Sequence, residues 1–173
     1  MKALRHRRDH AADTGASAVE FALVVPLLLL LVFGIIDFGI VFSQQLSLNN
    51  AVRQGAREAV AGGNTGQTTC ADVVTNVRDA SYALAMDTSQ IAVTVQTQSA
   101  AGVFYPSGSQ PCGTTANPTS STVVCQGSFQ PGGNDSIVVT ATYVGKYVVP
   151  MPIPGFPSSV TLTSQAVYRC EFS

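Results

Sequence analysis

The sequence predicts an α+β protein. A long N-terminal helix crosses a membrane and continues into an extracytoplasmic head, which holds a second helix and a mainly antiparallel sheet of about three or four strands. Three observations carry that expectation: one long apolar run, the charges that flank it, and alternating segments toward the C-terminus. The run, from Phe21 to Phe42, reads FALVVPLLLLLVFGIIDFGIVF, 22 residues with Asp37 as the one charge. At ~1.5 Å rise per residue it makes ~33 Å of helix, enough for a hydrocarbon layer ~30 Å thick. A soluble core helix would show a polar face over that length, and between Val24 and Ile36 there is none.

The flanks give the helix a direction. Lys2, Arg5, Arg7 and Arg8 precede it, against Asp9 and Asp13, while the first cation after it is Arg53, eleven residues beyond Phe42. The positive-inside bias keeps the N-terminus in the cytoplasm and carries the remainder across the inner membrane.

Residues 43 to 173 then have the size of one compact domain. Charged residues are 11 % of the chain and the formal net charge is -1. Taking the four cations and two acids of residues 1 to 15 from totals of nine and ten leaves five against eight, a net charge of -3. No basic stripe remains for a nucleic acid. Both histidines, His6 and His10, stand ahead of the span, so the exported part has no imidazole. That excludes His-dependent triads, His metal sites and His general bases there, and nothing points to a cofactor. Cys70, Cys112, Cys125 and Cys170 all lie in the exported part. An even number on the oxidising side predicts two disulfides, and without a C-x-x-C spacing the redox and zinc readings are poor.

Residues 1 to 15 are polar and basic and end in Ala-Ala-Asp-Thr-Gly15. An ordinary secretory signal is cut after its apolar core, between small residues; Val41-Phe42-Ser43 is a mediocre candidate. A cut between Gly15 and Ala16 fits better and leaves the helix on the product.

Gly15, with Glu20 as the fifth residue of the chain that would begin at Ala16, resembles the type III signal of type IV pilins and pseudopilins. The continuation ASAVEFALVVPLLLLLVFGIIDFG, followed by LSLNNAVRQGAREAV, resembles the TadE-like family, pseudopilins of the tight-adherence (Flp) pilus system. The resemblance covers about residues 15 to 61, with two departures: Ala16 is small where many pilins begin with an aromatic, and Asp37 stands where glutamate is expected. It implies a pilin-like fold, cleavage by a membrane prepilin peptidase, and partners among other pilins, pseudopilins and the pilus assembly platform.

The residues have their own physics. Glycine before a cut lets the backbone lie extended in a tight protease site with no Cβ to clash. Otherwise Gly15 is a flexible linker residue. Glu20, at the lip of the apolar run, pairs with the new amino group of Ala16 on its own or a neighbouring subunit, or faces lipid headgroups. Pro26 removes one helix hydrogen bond and predicts a kink. Asp37 lies about 7 to 8 Å from the outer end of the span, where it meets a partner helix or snorkels to the interface.

Beyond the membrane the helix continues to Ala61, with Leu48, Val52, Gly55 or Ala56, and Ala59 forming one apolar stripe and Gly62-Gly63-Asn64 ending it. Ala71 to Met86 reads as a second helix with Val74, Val77, Tyr82 or Ser81, and Leu84 or Ala85 inward. Ile91 to Gln98 alternates as a half-buried strand, and residues 99 to 134 form a long loop or irregular hairpin with Thr122 to Cys125 as a short strand. Ser136 to Val149 and Ser158 to Phe172 are the strongest strands, joined by an apolar, proline-rich connector over residues 150 to 157 that docks a partner, skims the membrane or covers its own sheet. Cys112 with Cys125 and Cys70 with Cys170 are the expected bridges, with the other pairings open.

Three units follow: a leader over residues 1 to 15, a membrane and extended helix over 16 to 61, and a disulfide-bonded head over 62 to 173. Asp72, Asp79 and Asp87 suggest paired acids, yet no electrophile, metal loop or nucleophile accompanies them, and a solvated face explains them. The expectation is therefore structural and not enzymatic: a minor pseudopilin that assembles, primes or caps a tight-adherence pilus, with an anchored or pilus-tip adhesin as the alternative.

Overall fold

The structure, a computed structural model, describes residues 9–62, 68–99, 101–106, 110, 112–125, 135–148, 155 and 157–170, with side chains from residue 15 onward. Helix α1, Asp9–Gly62, is one continuous element of 54 residues. Helix α2 is Cys70–Ala80, a short 3-10 turn spans Thr88–Gln90, and strands β1 (Ala92–Gln98), β2 (Ser136–Lys146) and β3 (Ser159–Arg169) follow. The strands form one antiparallel sheet in the order β1-β2-β3, with Val95 opposite Val139 and Val139 opposite Ala166.

The apolar stripe of α1 forms because Leu48, Val52, Ala56 and Ala59 recur at three- and four-residue steps, and all four are buried. They meet the inward face of the sheet, where Val93, Val95, Ile137, Val139, Ala141, Leu162 and Ala166 alternate with exposed or half-buried neighbours, except at Val138, which is buried as well. Helix α2 runs down beside α1 and adds Val73, Val74 and Val77 to this core. At Gly55 the two helices approach so closely that a Cβ would overlap Cγ2 of Val77.

Helix α2 begins in a reciprocal cap: the Thr69 hydroxyl accepts the Asp72 N–H, and the Asp72 carboxylate accepts the Thr69 N–H at 2.9 Å. It ends at Ala80, not at Met86. The Ser81 hydroxyl turns back to the Val77 carbonyl at 2.7 Å, its N–H takes the Arg78 carbonyl, and its backbone is already extended. Segment 81–86 is then held open by α1, with Ala85 at φ 57°, in the left-handed region. Of the inward alternatives, Ser81 is buried and Tyr82 92 % exposed, while Leu84 and Ala85 are both exposed.

The cysteine pairing also differs from expectation. The bonds are Cys70–Cys112 and Cys125–Cys170. The segment expected to close on itself is captured instead by the entry to α2: Thr69 bridges Val123, the Cys70 N–H donates to Thr122, and the Val124 N–H donates to Thr68. This sets Cys112 beside Cys70 and carries Cys125 to the end of β3. The predicted strand at Thr122 to Cys125 reduces to that single bridge followed by a turn. Most of the apolar connector after Val148 lies outside the described residues.

Candidate functional site

The exposed part of α1 and its junction with the head form the candidate site. From Val19 to Ile36 the large apolar side chains stand in the open, Phe21 at 70 % and Leu27 at 72 % exposure. Among the described residues this is one helix long and apolar enough to cross a membrane. Val19 to Ile36 spans ~27 Å at ~1.5 Å per residue, close to a hydrocarbon thickness. A one-chain rod so apolar on every side is consistent with a membrane anchor.

Gly15 and Ala16 lie within α1, exposed, and a Cβ on Gly15 would meet nothing within 4 Å. Glu20 is exposed one turn beyond Ala16, on the same helix face. Pro26 is exposed within the helix, which runs on to either side of it.

Asp37 marks the place where the head takes hold. It is 3 % exposed, and its Oδ1 accepts the backbone N–H of Val148, just beyond β2, at 3.0 Å. Two turns up, the fully buried Gln44 donates from Nε2 to the carbonyls of Leu84 at 3.0 Å and Ala85 at 3.3 Å. Its Oε1 would lie 2.9 Å from a Cβ on Gly145, so the glycine makes room for the amide. Gln45 donates to the Thr163 carbonyl at 3.1 Å and the Ser47 hydroxyl to that of Tyr82 at 2.9 Å. Polar side chains between Asp37 and Ser47 thus hold the end of β2, β3 and the segment after α2. The apolar stripe legible in the sequence did not single out Gln44, Gln45 or Ser47. Their signal is polar side chains interrupting an apolar helix, but their partners lie 35 to 118 residues away.

Phe38 and Phe42 stack on an exposed face of α1, with centroids 6.1 Å apart. At the far end of the head, the Tyr105 hydroxyl donates to Asp135 at 2.7 Å, and that bond to a carboxylate pushes the phenol pKa up. Asp72 and Asp87 are held below the usual carboxylate range, Asp72 by the Thr69 backbone and hydroxyl, Asp87 by the Ser89 hydroxyl and backbone. Both act as caps, Asp87 for the 3-10 turn. Among the described residues no three of His, Cys, Asp or Glu stand together as a metal site.

The long apolar helix, the second helix and the three-stranded sheet packed on them define a pilin-like α+β protein. Residues 15–57, about a quarter of the chain, match the sequence model of the family described as TadE-like protein. The family implies a protein associated with the Tad pilus and is generally non-enzymatic. No curated protein and no solved structure matches the chain.

Proposed function

We propose that the protein is a minor pseudopilin that acts in assembling a tight-adherence pilus, by priming or capping it. The observation that carries this reading is the start of the TadE-like match at Gly15, immediately before the exposed apolar helix. Residues 1 to 15 are the leader, removed on the cytoplasmic face by a prepilin peptidase between Gly15 and Ala16. Residues 16 to 61 are the anchor and its extension, and 62 to 173 the head, on the far side of the inner membrane.

Gly15 is helical before the cut, so the peptidase must first open that turn. Glycine makes this easier, costing a helix about 1 kcal/mol relative to alanine. The cut creates an ammonium at Ala16 one turn from Glu20. Two opposite charges ~4 Å apart at an effective dielectric of ~20 attract by ~4 kcal/mol before desolvation, enough to set the register of one subunit on another. Pro26 and Asp37 complete the set: the proline leaves the Ala22 carbonyl free for a neighbouring helix, and Asp37 holds the head at the outer edge of the span. The partners are the peptidase, other pilins and the assembly platform.

Mass spectrometry of the protein extracted from membranes tests this reading. The mature chain is expected to begin at Ala16; a start near Gln44, or an uncut leader, overturns it.

A further inference from the structure

A basic cleft stands on the outer side of α1. Arg53, Gln54, Arg57, Glu58 and Ala61 line it with Tyr168 of β3, around an open volume of about 480 Å³. The two guanidinium groups sit at i and i+4, where like charges repel. Among the described residues neither has a carboxylate or hydrogen-bond partner. Glu58, the one acid in the cleft, is occupied with Gln54, whose Nε2 donates to it at 3.1 Å. Two unpaired arginines beside an aromatic ring fit a carboxylate brought from outside.

The same chain presents carboxylates on another face. Asp72 and Asp79, seven residues apart on α2, are exposed on the side away from Val73 and Val77. Their height follows from the antiparallel pairing of the two helices. The Thr68 hydroxyl meets the Glu58 carbonyl, Val77 lies against Gly55, and Tyr82 is held by Ser47. With Val77 level with Gly55, Asp79 falls on the level of Arg53, while Asp72, ~10 Å further along α2 at ~1.5 Å per residue, stands above Arg57.

We propose that the cleft receives the Asp79 face of α2 of a second copy standing beside the first in the membrane; the Asp72 carboxylate is committed to the Thr69 cap. Two chains anchored by the same span have their heads at the same height, so Arg53 of one meets Asp79 of the next without a shift along the helix axis. Because the two faces are different surfaces, each contact leaves one cleft and one acidic face open, and copies add in rows or rings rather than closed pairs. A lipid phosphate does not fit: Arg53 lies ~24 Å above Asp37 along the helix at ~1.5 Å per residue. The inference rests on the anchored reading for the equal heights and on the charges for the pairing.

A photo-crosslinking residue in place of Ala61, in the full chain in its membrane, reads the contact directly. The expected product is a dimer whose crosslink maps to residues 70–80 of the second copy. Arg53→Glu or Asp79→Lys alone lowers its yield about five-fold, the upper range for an exposed ion pair, and the two together restore it. Both disulfides, checked on non-reducing gels, report that each variant folds. Absence of a dimer, a crosslink mapped elsewhere, or reversed variants that match the parent overturns the proposal. The N-terminal mass of the same sample reports separately on peptidase processing.

Discussion

Asp37 and Val148 are 111 residues apart in the chain and joined by a 3.0 Å hydrogen bond, carboxylate to backbone N–H, at the point where the apolar rod enters the head. A hydrogen bond to a charged group is worth about 1.5 to 3 kcal/mol when buried. Asp37→Leu is expected to loosen the end of β2, read as faster amide exchange at Val148, while Asp37→Asn, which keeps the acceptor oxygen, retains most of the protection. Equal exchange in both variants and the parent would remove this bond as a determinant of the junction.

Gly55 sets the distance between the two helices. Gly55→Ala forces a methyl group into Val77 and is expected to destabilise the head by about 1 to 3 kcal/mol, the usual cost of overpacking. Gly39→Ala, where a Cβ meets nothing within 4 Å, is the control. Thermal unfolding in detergent ranks the two; a head that is as stable after Gly55→Ala as before it means the helices stand further apart.

The disulfides close loops with sequence separations of 42 and 45 residues. In the chain-entropy account each such closure contributes about 4 kcal/mol. Peptide mapping without reduction is expected to recover Cys70 joined to Cys112 and Cys125 joined to Cys170, and reduction to lower the melting temperature sharply. A peptide linking Cys112 to Cys125 would refute the pairing.

Acid acts through the helix caps. Asp72 has its folded pKa below its unfolded value, so its contribution is present above the unfolded carboxylate range and fades as pH falls through the folded pKa. Asp72→Asn is therefore expected to flatten the loss of melting temperature on the acid side of about pH 4 relative to the parent. Tyr105 has the opposite sign: its raised pKa favours the folded state at neutral pH and that gain fades above about pH 10.

Glu20→Ala tests register. It is expected to leave expression and membrane insertion intact while blocking entry into, or priming of, the pilus; wild-type piliation would count against the role.

Much of this was legible in the sequence because it is written locally. The apolar run of α1 and the alternation of Ile137, Val139 and Ala141 are periodic signals, and the burial follows them. The end of α2 was not: Ser81 and Gln44 decide it, and Gln44 acts across 40 residues. Cysteine pairing was hidden for the same reason, since four cysteines allow three connectivities and only the course of the loop past Thr69 chooses between them. Asp37 was visible as an oddity in an apolar helix, but its bond to Val148 depends on how far down the hairpin reaches.

The clasps from Asp37 to Ser47 make a lever of the anchor. With the head fixed to the rod, the stretch from Asp37 to Ala61 is an arm of ~36 Å at ~1.5 Å per residue, and a tilt of ~10°, modest for a single span, swings its tip by ~6 Å. Bilayer thickness thereby becomes a steering input, setting where the outermost surface of each molecule points before any neighbour touches it.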